Sequence, residues 1–405
     1  MSSTLLRQAT IVHGAVTTPP RDVLIVDGLI SKIADSIDDA TAQSAETTID
    51  LTGHLLLPAA AEPHAHLDKA FLAERVDNRT GDRIGAIDAM ISMSGQITFD
   101  DTVERAERAA RLMAANGYTA VRTHADTVEH NGLQNVEALV EVRRRVAGVI
   151  DVEIVALTGA NVVGPPGATH RALLCDALGA GADLVGGCPH LEEGHAIEAA
   201  TDVFLQIAVD AGVGVDLHTD ETLDPMVMGL EYLAEQVVDG FPHRVTASHC
   251  VSLGQRTPGD QQRIAELVAA AGIGVVTLPH TNLWLGGRNQ QPVPRGLTAV
   301  DALRSAGVMV AAGADNLQDP FNPMGRACPF ETASLMVLVA HDLPHLAWES
   351  VSTASRSVLG LAHNGISERA VADLLVVPGG SLRGAIAEGP AGRRVFRAGR
   401  AVVAH

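Results

Sequence analysis

The sequence predicts an α/β protein: a (β/α)8 TIM barrel with a small β-sandwich domain formed by the N- and C-terminal segments. Three observations predict it. Val/Ile/Leu-rich runs alternate with Ala/Leu/Glu/Arg segments of helical spacing, there are eight such runs, and polar residues close most of them at a near-constant interval. Alternating strand and helix means parallel strands with crossover helices, and eight units close a barrel. The interval is 30 residues from Cys188 to His218, 31 from His218 to His249 and 31 from His249 to His280. An open doubly wound sheet is the runner-up. It is disfavoured because no GxGxxG follows a first strand and polar strand ends recur on most units rather than at one switch point.

Taken in order, residues 1–54 read as short β elements (ATIVHG, DVLIVDG, LISKIAD) between polar turns. The barrel is assigned to 55–364. Its strand runs are LLLPAAAEPHAHLD from Leu55, YTAVRTHAD from Tyr118, DVEIVALTG from Asp151, ADLVGGCPH from Ala182, GVGVDLHTDE from Gly212, RVTASHC from Arg244, GIGVVTLPH from Gly272 and GVMVAAGAD from Gly307. Helical spacing fills 101–116, 137–146, 196–211 and 260–271, several segments being closed by Gly or Asn-Gly. The tail, 365–405, returns to β character in ADLLVVPG and VFRAGRAVV. It is expected to pair with the N-terminal segment, since the termini of a domain often lie close together.

The 405 residues carry 48 acidic and 29 basic side chains, a formal charge of −19, without any Lys/Arg run. That balance argues against nucleic acid and membrane as partners. The most apolar internal stretch, 264–278, contains Glu266 and falls short of the ~20 residues of a spanning helix. No secretory pattern opens the chain, and Cys175, Cys188, Cys250 and Cys328 form no CxxC pair. The expectation is a cytoplasmic protein with a small-molecule substrate, and a homo-oligomer is compatible with it.

Residues at the carboxyl ends of barrel strands converge on one mouth. Those ends carry His64 and His66, His124 and Asp126, His190, His218 with Asp220 and Glu221, His249, His280 and Asp315. In His64-Ala65-His66 alternate residues share a face, so two imidazoles reach one ion. A lone histidine there is more often a hydrogen-bonded core residue, but five strand ends in register outweigh that reading. His64, His66, His218 and Asp315 are therefore selected as one metal site, a ligand set suited to zinc, iron or manganese. Glu221 is placed to reach a substrate without binding the ion, the competing reading being a helix N-terminal acid. His249 is placed to hydrogen-bond a water on the ion. For His124, His190 and His280 packing is at least as good a reading as substrate contact. Cys188 and Cys250 read as buried thiols rather than nucleophiles. No GxSxG, P-loop, HExxH or HxE…PCxxC pattern is present.

These residues sit in EPHAHLDKA at Glu62, VRTHAD at Val121, GADLVGGCPH at Gly181, VDLHTDE at Val215, RVTASHC at Arg244, NLWLGGR at Asn282 and GADNLQDPFNPMG at Gly313. Together they make nearly the whole chain resemble the amidohydrolase superfamily, in its cytosine deaminase-like branch. The resemblance implies one divalent ion, zinc or iron, on His64, His66, His218 and Asp315. It makes Glu221 the proton shuttle and His249 the group that holds and polarises the attacking water, while Asp315 takes a water proton. Many relatives bridge two metals through a carboxylated lysine on the fourth strand. Here the only lysines are Lys32 and Lys69, which favours a single ion. Such an ion brings the pKa of its water towards ~7 and supplies hydroxide, which adds to an amino-bearing ring carbon and releases ammonia.

Cytosine deaminases of the branch carry a substrate-reading glutamine after the third strand. This chain has LTGANVVGPPG there, with Gly159 near that position and Asn161 as a candidate replacement amide. Phe321 stands where relatives have a tryptophan, Asn316 follows the metal aspartate in place of an acid, and His280 and His190 are further candidate substrate contacts. The expected activity is a metal-dependent amidohydrolase deaminating a small amino-substituted N-heterocycle: a cytosine analogue, an aminotriazine or a cyclic guanidine. One alternative is hydrolysis of a cyclic amide or an alkylamino-substituted heterocycle at the same site. Another is a catalytically silent metal-binding barrel, against which Glu221 and His249 argue, because storage requires no proton shuttle.

Overall fold

Eight strands form one parallel sheet, each hydrogen-bonded to the next in chain order. They are β1 (Ala60–Ala65), β2 (Tyr118–Asp126), β3 (Asp151–Thr158), β4 (Leu184–Gly187), β5 (Val215–Thr219), β6 (Val245–His249), β7 (Gly274–Thr277) and β8 (Val310–Ala312). The sheet closes into a barrel where Ala65 bridges Asp315. There the Asp315 N–H donates to the His64 carbonyl at 3.0 Å and the His66 N–H to the Asp315 carbonyl at 3.1 Å. This computed structural model describes residues 2–362 and 365–402. Residues 363–364, beside the expected domain boundary, and 403–405 of the tail lie outside the described residues.

Helices Phe99–Asn116, Gln134–Arg145, Ile197–Ala211 and Pro258–Ala271 occupy the segments whose spacing is helical. Their ends follow local chemistry. The Thr98 and Thr257 side chains accept from the third backbone N–H of their helices, Pro258 occupies a first-turn position, and Gly117 and Gly272 close the two helices with positive φ. Close approach dictates one further glycine: a Cβ on Gly187 would lie 2.1 Å from the ring of Phe204. Helix Ile197–Ala211 thus packs against β4 at a distance only glycine permits. The barrel interior is not wholly apolar. Arg122 on β2 is fully buried and pairs with Asp216 at 2.8 Å and Glu153 at 2.7 Å.

The run read as one first strand from Leu55 is two. His54–Pro58 belongs to the smaller sheet, antiparallel to Leu374–Pro378, and β1 begins after Ala59. At that residue the chain changes partners, the Ala59 N–H donating to the Asp373 carbonyl and the Ala60 N–H to the Gly117 carbonyl. The smaller sheet also contains Ser3–His13, whose first half pairs with Arg21–Val26 and Thr47–Asp50 and whose second half pairs with His54–Pro58. Leu6, Ile11, Val23, Leu374 and Phe396 share its core, so both ends of the chain build one β domain. Among the described residues no helix is long and apolar enough to cross a membrane, and the four cysteines are free.

Candidate active site

His64 and His66 stand at the end of β1, His218 in β5, His249 at the end of β6, and Asp315 three residues past β8. The barrel brings all five together, buried. His66 Nε2 lies 3.2 Å from both His218 Nε2 and Asp315 Oδ1, and His64 Nε2 lies 3.5 Å from Asp315 Oδ1. Ligand atoms of His64, His66 and His218 lie within 4.8 Å of one another, as do those of His64, His249 and Asp315. His249 and Asp315 hold φ of 70° and 64°, a region that side chains other than glycine seldom occupy and that concentrates at functional sites.

Electrostatics make this cluster costly without a cation. Burial, reinforced by neighbouring imidazoles, holds His64 and His218 well below the usual histidine range, and burial with Lys69 does the same for His66. Burial and the Glu221 charge push Asp315 well above the usual carboxylate range. His64 Nε2, His218 Nδ1 and both carboxylate oxygens of Asp315 are buried without a hydrogen-bond partner. Neutral imidazoles around an unpaired carboxylate form a donor set that a divalent ion satisfies, so the residues fit the group.

Outer contacts orient the rings. Ser248 Oγ donates to Asp216 at 2.8 Å and therefore accepts the Nδ1 hydrogen of His64 at 2.9 Å, which leaves the Nε2 lone pair facing the cluster. Asp216 is in turn held by Arg122. Lys69 Nζ lies 3.1 Å from His66 Nδ1 and donates to Asp126 at 2.7 Å. Burial alone would lower its pKa, but Asp126 and Asp68 outweigh it and hold the ammonium above the usual lysine range.

A cavity of about 250 Å³ lies over the cluster. Glu221 lines it, with Oε1 3.8 Å from His249 Nδ1. Burial would raise the Glu221 pKa, yet His249 and Arg83 prevail and hold it below the usual carboxylate range. Asn282 Nδ2 donates to His249 Nδ1 at 3.0 Å, which places the ring hydrogen on Nε2, 4.0 Å from Asp315 Oδ2. Arg83 reaches the Glu221 carbonyl at 2.6 Å and its carboxylate at 3.5 Å. Its helix, Arg83–Met93, contributes Ile87, Met90 and Ile91 to the lining.

The remaining sequence candidates divide by place. Gly159, Asn316 and Phe321 line the cavity, as does the buried Cys188, whose thiol burial pushes to a high pKa. His190, Asn161 and His280 do not. His190 donates from Nδ1 to the His218 carbonyl at 3.0 Å and accepts from Arg83 at 3.0 Å, while burial and Arg83 lower its pKa to about 3. Asn161 is exposed, its carbonyl facing His170, and His280 Nε2 bonds Thr332 at 3.1 Å. His124 lies against His64, the ring centroids 3.9 Å apart and the planes tilted by 32°. Sequence reasoning did not single out Lys69, Arg83, Asn282, Ser248 or Asp216. Only Lys69 carried a signal, being one of two lysines and three residues after His66.

A model of the amidohydrolase family matches residues 81–402 of this chain. A pterin deaminase of Rhizobium rhizogenes is 32% identical over 345 residues, 84% of this chain and 77% of the relative. The crystal structure of 5-methylcytosine deaminase from Klebsiella pneumoniae, liganded with 5-fluorocytosine, superposes with a TM-score of 0.88 at 28% identity, covering 98% of this chain and 97% of that one. The N-isopropylammelide isopropylaminohydrolase of Burkholderia multivorans gives a TM-score of 0.83 at 29% identity, covering 99% and 98%.

Proposed function

The chain belongs to the amidohydrolase family and is a hydrolase of carbon–nitrogen bonds, and from that premise we propose that it deaminates a small amino-substituted N-heterocycle, of the cytosine, pterin or aminotriazine type. The observation that carries this reading is the convergence of Glu221 and His249 on the cavity side of the His64, His66, His218 and Asp315 cluster. One divalent ion, zinc or iron, held by those four residues would supply a Lewis acid and an activated water.

The chain's own groups then account for the protons. Glu221 is ionised at rest, so it takes the first proton of the attacking water and delivers it to the ring nitrogen beside the amino-bearing carbon. His249, with its hydrogen on Nε2, steadies the oxygen that adds to that carbon. Asp315 takes the second proton from the new hydroxyl and passes it to the amine. The C–N bond breaks, ammonia leaves and a ring carbonyl remains. The same sequence of transfers releases an alkylamine if the ring nitrogen substituent is alkylated.

The test is ammonia and alkylamine release by the metal-loaded protein across cytosine, 5-methylcytosine, isocytosine, pterin, ammelide, N-isopropylammelide and creatinine. Release of ammonia that is abolished by chelation and restored by zinc or iron is expected, and the restoring ion identifies the metal. Silence on every amino-substituted ring with the ion bound would overturn the deaminase reading. Alkylamine release alone would replace it with the alkylamine reaction.

A further inference from the structure

Three charged side chains in the cavity take no part in the proton transfers, and one of them, Arg83, is engaged with Glu221 and His190. Lys69, three residues past His66, and Asp126, the last residue of β2, both line the chamber and form a pair at 2.7 Å. In the eight-stranded order, β1 and β5 stand four strands apart, on opposite sides of the barrel. Glu221 follows β5, so a planar ring that offers its amino-bearing carbon to Glu221 turns its far edge towards β1 and β2. At Gly159 the wall has no side chain, and a Cβ there would meet nothing within 4 Å.

The pair has unused capacity. Asp126 gives one oxygen to Lys69, and no side chain among the described residues bonds the other. The Lys69 side chain is 5% exposed and that of Asp126 is 24% exposed, so a carboxylate edge is open to the chamber above a buried ammonium. Lys69 Nζ lies 2.7 Å from Asp126 Oδ1, 3.1 Å from His66 Nδ1 and 3.7 Å from Asp68 Oδ1, so the ammonium is held on three sides and the second oxygen of Asp126 is the group left to offer.

The geometry points to Lys69 and Asp126 as the specificity pair that reads a lactam edge of the substrate, Asp126 accepting from the ring N–H while Lys69 fixes its other oxygen. This rests on the reading of the chamber as a deaminase site and narrows its substrate class to heterocycles with an unsubstituted O=C–N–H edge remote from the amino-bearing carbon. A ring alkylated or glycosylated at that nitrogen leaves Asp126 unpaired and is rejected, because a site built to bond an N–H discriminates strongly against its absence.

The test is calorimetric binding of uracil, cyanuric acid and 1-methyluracil to the metal-loaded full chain, with metal content measured for each protein. The wild type is expected to bind a free lactam at least tenfold more tightly than 1-methyluracil. Asp126→Ala should abolish that preference with metal content retained. Asp126→Asn, which keeps the shape of the side chain, should reduce it. Equal binding of the free and methylated rings, no binding of either lactam, or an undiminished preference in both variants would overturn the pair. Ammonia release from cytosine and ammelide separates this from the underlying reading. Lactam preference without ammonia would sink deamination and leave the pair standing. Ammonia release without lactam preference would do the reverse.

Discussion

The hydroxyl of Ser248 accepts the Nδ1 hydrogen of His64 at 2.9 Å because its own hydrogen is committed to Asp216. The relationship settles which nitrogen of His64 presents a lone pair. Ser248→Ala should therefore leave the fold intact and weaken ion affinity about 10- to 100-fold, as loss of a partner behind a ligand does. Competition with a chelator measures it, and an unaltered affinity would show that packing alone orients the ring.

Glu221→Gln keeps the size of the side chain and removes its capacity to take a proton. Turnover should fall by about 10²- to 10⁴-fold, the range of general acid–base contributions. Metal content should stay at the wild-type level, because Glu221 is outside the ligand cluster. Loss of the ion, or full activity, would remove Glu221 from the role given to it.

Asp319 supplies a pH dependence. Burial raises its pKa from 3.8 to about 7. The folded chain thus holds a proton that the unfolded chain releases, so the stabilisation is fully present below about 3.8 and is lost as the pH rises through about 7. Within that window the contribution of this one group, read as the difference between the wild type and Asp319→Asn, should fall by roughly 1.4 kcal/mol per pH unit. Asp319→Asn should flatten the slope, since Asn316 can turn its amide to face the new one and Oδ1 still accepts from Phe321 and Asn322. Urea unfolding of chelator-treated protein from pH 4 to 8 decides; parallel slopes in the two proteins would contradict the assignment.

Gly187→Ala would set a methyl group 2.1 Å from the Phe204 ring. Overpacking of this kind costs about 1–3 kcal/mol. Unfolding experiments should show that loss and its partial recovery when Phe204→Leu is added. Additive effects of the two substitutions would mean that helix Ile197–Ala211 relaxes away from β4 without resistance.

What the sequence revealed and what it withheld follow the range of the interactions. His64-x-His66 was legible because strand residues alternate, and the barrel because its strand ends recur every 30 or 31 residues. The Lys69–Asp126 pair was not legible, since it depends on β1 and β2 lying side by side across 57 residues. Nor was the relay from His64 through Ser248 and Asp216 to Arg122, which joins four elements. Helix Arg83–Met93 escaped notice for a different reason. Its apolar residues go all round, with Ala86 and Ala89 buried, Ile84 exposed and Ile87, Met90 and Ile91 lining the chamber, so no single stripe announces it. The split of the Leu55 run was hidden because apolar residues continue unbroken from Leu55 to Ala61 and only their partners change.

The backbone exchange between Asp315 and the His64–His66 segment makes ligand assembly and ring closure a single event. A nascent chain that has left the ribosome only as far as β7 carries three of the four proposed ligands but lacks the strand that seats them. On the proposed ligand set, ion binding follows closure of the ring, and a fragment ending before residue 315 is expected to bind zinc or iron more weakly than the full chain.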